Sequence, residues 1–294
     1  MQYPTAYLFT RQFHGGTKSF NQGRTAAGPG ALARNWRLSP HQGGFVDHDS
    51  RDFWHIDRGG WIALISGLAC AFLPFFWAKF HWIMSYLKIL IHELGHSLTA
   101  WSFGYPGVPT FNLQHGGGVA RHGPQAPWLL AVLGIVFLFF IINNYKNVRV
   151  MIVSGAGFLV YLLCIFTPLH KMLELYMGHG LEIVIAGVFL FRAASNWAVY
   201  HAAERCLYGF SGFYLIFENI MFSFQLLFDK GYRAVYFEGI APGLLNDFFR
   251  IWVEHLKTAS FDLLVVFHFL ATMLGATIPI ALHILIRRRN QHGV

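Results

Sequence analysis

Seven runs of mostly apolar residues, each close to the length that crosses a bilayer, set the first constraint on this chain. A spanning helix needs about 20 predominantly apolar residues. Such runs occupy 60–79, 82–103, 126–142, 150–169, 180–200, 207–228 and 261–286. Only 12% of the 294 residues are charged, roughly half the share in an ordinary soluble domain. The reading is an all-α polytopic membrane protein, a bundle of about six to seven transmembrane helices. Pro74 falls inside the first run, where a kink is tolerated in lipid.

The net charge of +8 does not argue for a nucleic-acid partner. The basic residues sit in the polar N-terminus, the short connections and a terminal Arg287–Arg289 cluster, a placement that suits membrane orientation and anionic headgroups. The lipid bilayer is the expected partner. Cys70, Cys164 and Cys206 are far apart in sequence, so neither a disulfide framework nor a thiolate metal site is implied.

Residues 1–58 read as a polar, flexible extension without the apolar core of a signal peptide. Its histidines (His14, His41, His48, His55) follow no compact ligand spacing. The transmembrane domain is expected over 59–289, with a polar tail at 290–294. Most connections are short. Residues 104–125 are rich in Pro and Gly, which exclude a helix, and are long enough for a small hairpin or re-entrant loop. Residues 229–260 form the longest internal loop. It contains NDFFRIWVEHLK, an amphipathic helix expected on the membrane surface, with Asn246 and Asp247 as its cap. Arg51 and Arg58 near the start, like the terminal arginines, favour the cytoplasmic side. Seven spans would separate the two ends, so either one run is not a span or the rule fails at one end. The shortest run is 126–142.

The second run holds His92-Glu93-Leu94-Gly95-His96. Two histidines four apart share a helix face, one turn apart, which is the spacing of two zinc ligands. Glu93 follows the first His and is placed to act as a general base on a metal-bound water. Gly95 lets another backbone or a substrate come close. Ionisable groups in a span are costly and mark function, so a Zn2+ site is the expected role. The competing reading is an inter-helix cluster of buried hydrogen bonds.

A catalytic zinc takes three protein ligands and keeps one position open. Gly178-His179-Gly180-Leu181-Glu182 puts His179 and Glu182 three apart at the expected start of the fifth span. Glu182 is the preferred third ligand, with His179 as an alternative ligand or a donor behind one. The competing reading is a Glu favoured by the helix dipole beside a snorkelling His. Asp229 is the second alternative, or a plain interfacial charge. His115 and His122 read as polar loop residues, Glu218 and His268 as buried hydrogen-bonding groups within spans, and Glu204-Arg205 as a local ion pair.

The stretches HELGHSLTAWSFGYP, FNLQHGGGVA and GHGLE resemble the site-2 protease class of intramembrane zinc metalloproteases, among bacterial membrane proteins assigned to it. The resemblance covers roughly residues 60–286. It implies that His92 and His96 bind zinc and that Glu93 is the base. It also implies that 108–121 forms a membrane-embedded hairpin holding an extended substrate, with Phe111, Asn112, Gly116, Gly117 and Gly118 as substrate-binding candidates. The best-known members take their third ligand from an Asp in Leu-Asp-Gly. This chain has no such motif, and Phe228-Asp229-Lys230-Gly231 is its nearest echo. The expected function is an intramembrane zinc metalloendopeptidase acting on a membrane-protein substrate, in a bacterial inner membrane. The alternative is a non-peptidase membrane protein, a transporter or scaffold, with a His/Glu metal site. No internal repeat supports a transporter built of two halves.

Overall fold

The computed structural model describes residues 56–112, 117–239 and 245–291. The expected N-terminal extension, with its histidines, lies almost wholly outside them, as do His115, Gly116 and the tail beyond 291.

The described chain is a helical bundle carrying one small hairpin. Helix α1 (Arg58–Cys70) and the single turn α2 (Leu73–Phe76) lead through Trp77 into α3 (Ala78–Ser102). The expected kink at Pro74 is a full interruption. Pro74 sits in the first turn of α2, where its missing N–H costs nothing. Helix α3 stops at Gly104, whose φ of 83° lies in the left-handed region that glycine adopts freely.

Strands β1 (Gly107–Asn112) and β2 (Gly117–His122) follow, paired antiparallel from Gly107 opposite His122 to Asn112 opposite Gly117. This is the expected hairpin, and it packs on α3. The Trp101 indole N–H anchors it to Gly107 O at 2.7 Å.

Helices α4 (Pro127–Asn144) and α5 (Val148–Ile165) come next. Only 6% of α4 and none of α5 is buried. A surface this apolar and this large is foreign to a water-soluble monomer, so both helices face lipid. Helices α6 (Leu169–Ser195) and α7 (Ala202–Phe228) form the centre, followed by α8 (Lys230–Glu238), the turn α9 (Asp247–Arg250), a π-helical turn (Ile251–His255) and α10 (Phe261–Gln291). Helix α6 packs against α3, α7 and α10.

Among the described residues six helices are long and apolar enough to span a membrane, and the protein is a membrane protein. The run that drops out is not 126–142, which qualifies as α4, but the motif run. Helix α3 is 25 residues long, yet Lys79, Lys88, His92, Glu93 and His96 lower its hydropathy. Its buried positions, Ile91, Glu93, Gly95, His96, Ser97, Thr99 and Ala100 among them, line the contact with the hairpin and α6, so it needs no uniformly apolar surface.

The expected break near 180 is also absent. Helix α6 runs unbroken through Gly178 and Gly180 for 27 residues. Glycine weakens an isolated helix by about 1 kcal/mol, but small residues let helices meet closely in lipid. A Cβ on Gly95 would fall 2.0 Å from Met177 O, so α3 can meet α6 only with glycine there. Because of this, His179 and Glu182 sit near the middle of α6, about 15–20 Å from its start at 1.5 Å per residue, rather than at a helix end.

Glu204 and Arg205 do not pair with each other, because neighbours on a helix point about 100° apart. Arg205 instead clamps Asp57 with contacts of 2.6 and 2.9 Å and bonds Ala193 O and Ala194 O. Glu204 accepts from Tyr208 Oη at 2.8 Å and meets Arg192 at 3.4 Å.

Candidate metal centre

His92 and His96 project from α3 toward α6, with ring centroids 4.7 Å apart. The nitrogens on their far sides are occupied. His92 Nδ1 lies 2.9 Å from Glu182 Oε1 and His96 Nδ1 lies 2.8 Å from Glu174 O. A carboxylate and a carbonyl only accept, so both Nδ1 atoms carry protons and donate. In the neutral form that a metal requires, the rings then present lone pairs at Nε2.

Those two Nε2 atoms are 3.1 Å apart, and Asp247 Oδ2 lies 3.0 Å from one and 3.2 Å from the other. Three acceptors thus converge on one point. Such a cluster repels itself unless a cation or extra protons sit among the atoms. Ligands at the 2.0–2.1 Å of a tetrahedral zinc lie about 3.3–3.4 Å from one another. The observed triangle is that arrangement contracted by a few tenths of an ångström, and the donor set, two imidazoles and a carboxylate, is one that zinc accepts. The fit to a divalent metal is therefore good.

His179 stands beside this triangle. Its ring is 4.5 Å from that of His92, and His92, His179 and Asp247 can each offer an atom within 4.8 Å of the others. The set with His96 is tighter. His92 and Asp247 belong to both. His179 Nδ1 is buried without a hydrogen-bond partner, 3.6 Å from Glu182 Oε1, and its ring stacks on Phe222 at 4.5 Å.

Two expectations about the third ligand need correction. Glu182 touches His92 on the Nδ1 side, behind the triangle, and its other oxygen accepts from Asn219 Nδ2 at 2.8 Å. It stands behind the triangle rather than in it. Asp229 is remote in role as well as in contacts, because it caps α8 by accepting from Gly231 N and Tyr232 N. The carboxylate facing both Nε2 atoms is Asp247, which the sequence assigns to a helix cap. Asn246 holds the cap position but makes no capping side-chain bond. Its Nδ2 donates instead to Tyr236 O at 2.6 Å.

The segment carrying Asp247 turns inward because Phe248 and Ile251 are buried against α6, α7 and α10. It does not lie along a surface. Burial alone would push the Asp247 carboxyl up, but when protons rather than a metal occupy the triangle, hydrogen bonds from the protonated His92 and His96 rings outweigh this and hold it well below the usual carboxylate range. The side chains of His92 and Asp247 stay 18% and 22% exposed, so the triangle has an open side.

Glu93 is buried and its Oε2 has no partner. The hairpin presses on it. A Cβ on Gly118 would lie 2.4 Å from Glu93 Cγ, so only glycine fits there. Of the other substrate-binding candidates, Phe111 pairs in register with Gly118 and Asn112 with Gly117. His122 is not a free loop residue, because it meets Glu174 Oε1 at 3.0 Å. The hairpin base is thereby tied to the residue whose carbonyl holds His96. As expected, His268 makes a buried contact, with Asn219 at 3.0 Å, whereas the contact of Glu218 with Lys88 at 3.0 Å is only partly buried.

No known protein-family model matches the chain, and neither a curated protein nor a solved structure is significantly similar to it.

Proposed function

We propose that the protein is an intramembrane zinc metalloendopeptidase of the site-2 protease class, cleaving a peptide bond in or near a spanning segment of another membrane protein in a bacterial inner membrane. The observation that carries this reading is the convergence of His92 Nε2, His96 Nε2 and Asp247 Oδ2 next to Glu93, a buried carboxylate with an unpartnered oxygen.

Those three residues would hold the metal. Zinc supplies a Lewis acid there that lowers the pKa of a bound water to about 7 and polarises a carbonyl. Glu93 is the general base. Its Oε2 accepts the proton of the attacking water and returns it to the leaving amine. Glu174 and Glu182 keep the two imidazoles in the tautomer that leaves Nε2 free. The hairpin offers strand edges against which an unwound substrate segment can pair, and Gly118 brings that strand against Glu93.

A membrane protein that merely holds a metal would leave the unpartnered Glu93 oxygen without a task. Glu93→Gln separates the two readings. Zinc content should stay at the wild-type level while cleavage is lost, scored by mass spectrometry on a library of single-span reporter fusions co-reconstituted in proteoliposomes. Wild-type cleavage by the Gln variant, or no cleavage by either protein, would count against the peptidase.

A further inference from the structure

Behind His92 a buried hydrogen-bond chain crosses four helices. From α3, His92 Nδ1 meets Glu182 Oε1 on α6 at 2.9 Å. From α7, Asn219 Nδ2 donates to Glu182 Oε2 at 2.8 Å. From α10, His268 Nε2 meets Asn219 Oδ1 at 3.0 Å. Glu182 and His268 are fully buried and Asn219 is 1% exposed. Polar groups this deep are costly unless each is paired.

The direction of every bond is fixed by what each group can do. An amide has a donor end and an acceptor end, and a carboxylate only accepts. Asn219 must therefore turn Nδ2 toward Glu182, and that nitrogen's second proton goes to Leu215 O at 2.8 Å. Oδ1 is left facing His268, which has to present Nε2–H. A flipped amide would set oxygen against carboxylate oxygen. Glu182 and Leu215 O thus fix the sense of the Asn219 amide, and His268 completes it by engaging Oδ1.

We propose that Asn219 and His268 are positioning residues of the metal centre. They hold Glu182 in the pose that takes the His92 Nδ1 proton and so aim His92 Nε2 at His96 and Asp247. The proposal rests on the metal-centre reading above. The donations from Asn219 and from His92 end on the two oxygens of Glu182, so the carboxylate that faces His92 is held from its far side by the α7–α10 pair, which a tie joining only those two helices would not require.

The test uses the full chain in detergent. Zinc affinity is measured by chelator competition, and the visible spectrum of the cobalt-substituted protein is recorded, for wild type, Asn219→Leu, His268→Ala and His268→Gln. Asn219→Leu and His268→Ala should weaken zinc about 10–100-fold, the usual effect of losing a group behind a ligand, and should alter the cobalt spectrum. His268→Gln places an amide N–H at the reach of Nε2 and should recover most of both. Wild-type affinity and spectrum in His268→Ala, or a Gln variant as impaired as the Ala variant, would overturn the proposal. If Asn219→Leu does not fold, the two His268 variants decide alone. A wild-type protein that binds no zinc defeats the metal-centre reading itself, whereas a zinc-binding wild type with unaffected variants defeats only this proposal.

Discussion

Gly178 offers a way to destroy the metal centre without touching a ligand. It lies on α6 against both imidazoles, and a Cβ there would stand 2.5 Å from His96 Nε2 and 2.7 Å from His92 Nε2. Comfortable non-bonded separations are about 3.5 Å, so Gly178→Ala overlaps each ring by roughly 0.8–1.0 Å. Metal–ligand distances hold to within about 0.2 Å, and the rings cannot retreat by several times that and still share one ion. Meanwhile the α6 helix itself should gain, since alanine is better than glycine in a helix by about 1 kcal/mol. The expected result is a helical, folded protein whose zinc affinity has fallen at least about 100-fold, or about 2.8 kcal/mol at 1.4 kcal/mol per factor of ten. The assay is metal content by mass spectrometry with chelator titration, alongside circular dichroism for helicity. Wild-type affinity in the Ala variant would refute the reasoning, because it would mean the Nε2 edges do not face Gly178 when the site is loaded.

Two further outcomes follow from the same geometry. Gly118→Ala pushes a methyl group into Glu93, so cleavage should fall by about 100-fold, the lower end of what a general base contributes, with zinc content unchanged in the same preparation. Zinc affinity should also fall as pH drops from 8 to 5, because ligating imidazoles must be neutral to bind. Asp247 stays ionised across that window. Its carboxyl is held below the usual range, so its contribution is present above about pH 4 and is lost only as pH falls through the lowered value. A chelator titration at pH 5, 6, 7 and 8 checks this, and a flat profile would contradict it.

The sequence displayed the bundle because apolar runs of bilayer length can do little else. It displayed the hairpin because Pro and Gly at 104–125 exclude the alternative, and the His92–Glu93–His96 constellation because helical spacing is local. What it hid was long-range. The span count was skewed by α3, whose buried polar face looks from composition like any other run interrupted by charges. The apolar run of the fifth span begins only at 180, whereas helix α6 begins at Leu169. Only the packing of α6 on α3, where Met177 O meets Gly95, reveals why glycine belongs in mid-helix. Asp247 reads as a cap in the sequence, because an Asp opening a short amphipathic segment is indistinguishable from one until Phe248 and Ile251 are seen buried in the bundle. Asn219 carried no local signal at all, since its task depends on groups 37 and 49 positions away.

Zinc stoichiometry in Asp247→Ala, set beside Glu182→Ala, tests the central claim most directly. The account predicts one zinc per chain in wild type, loss of tight zinc in Asp247→Ala, and a weaker but still occupied site in Glu182→Ala, where a ligand has lost its support rather than been removed. A full complement of tightly bound zinc in Asp247→Ala, with none in Glu182→Ala, would contradict it and return the third position to Glu182.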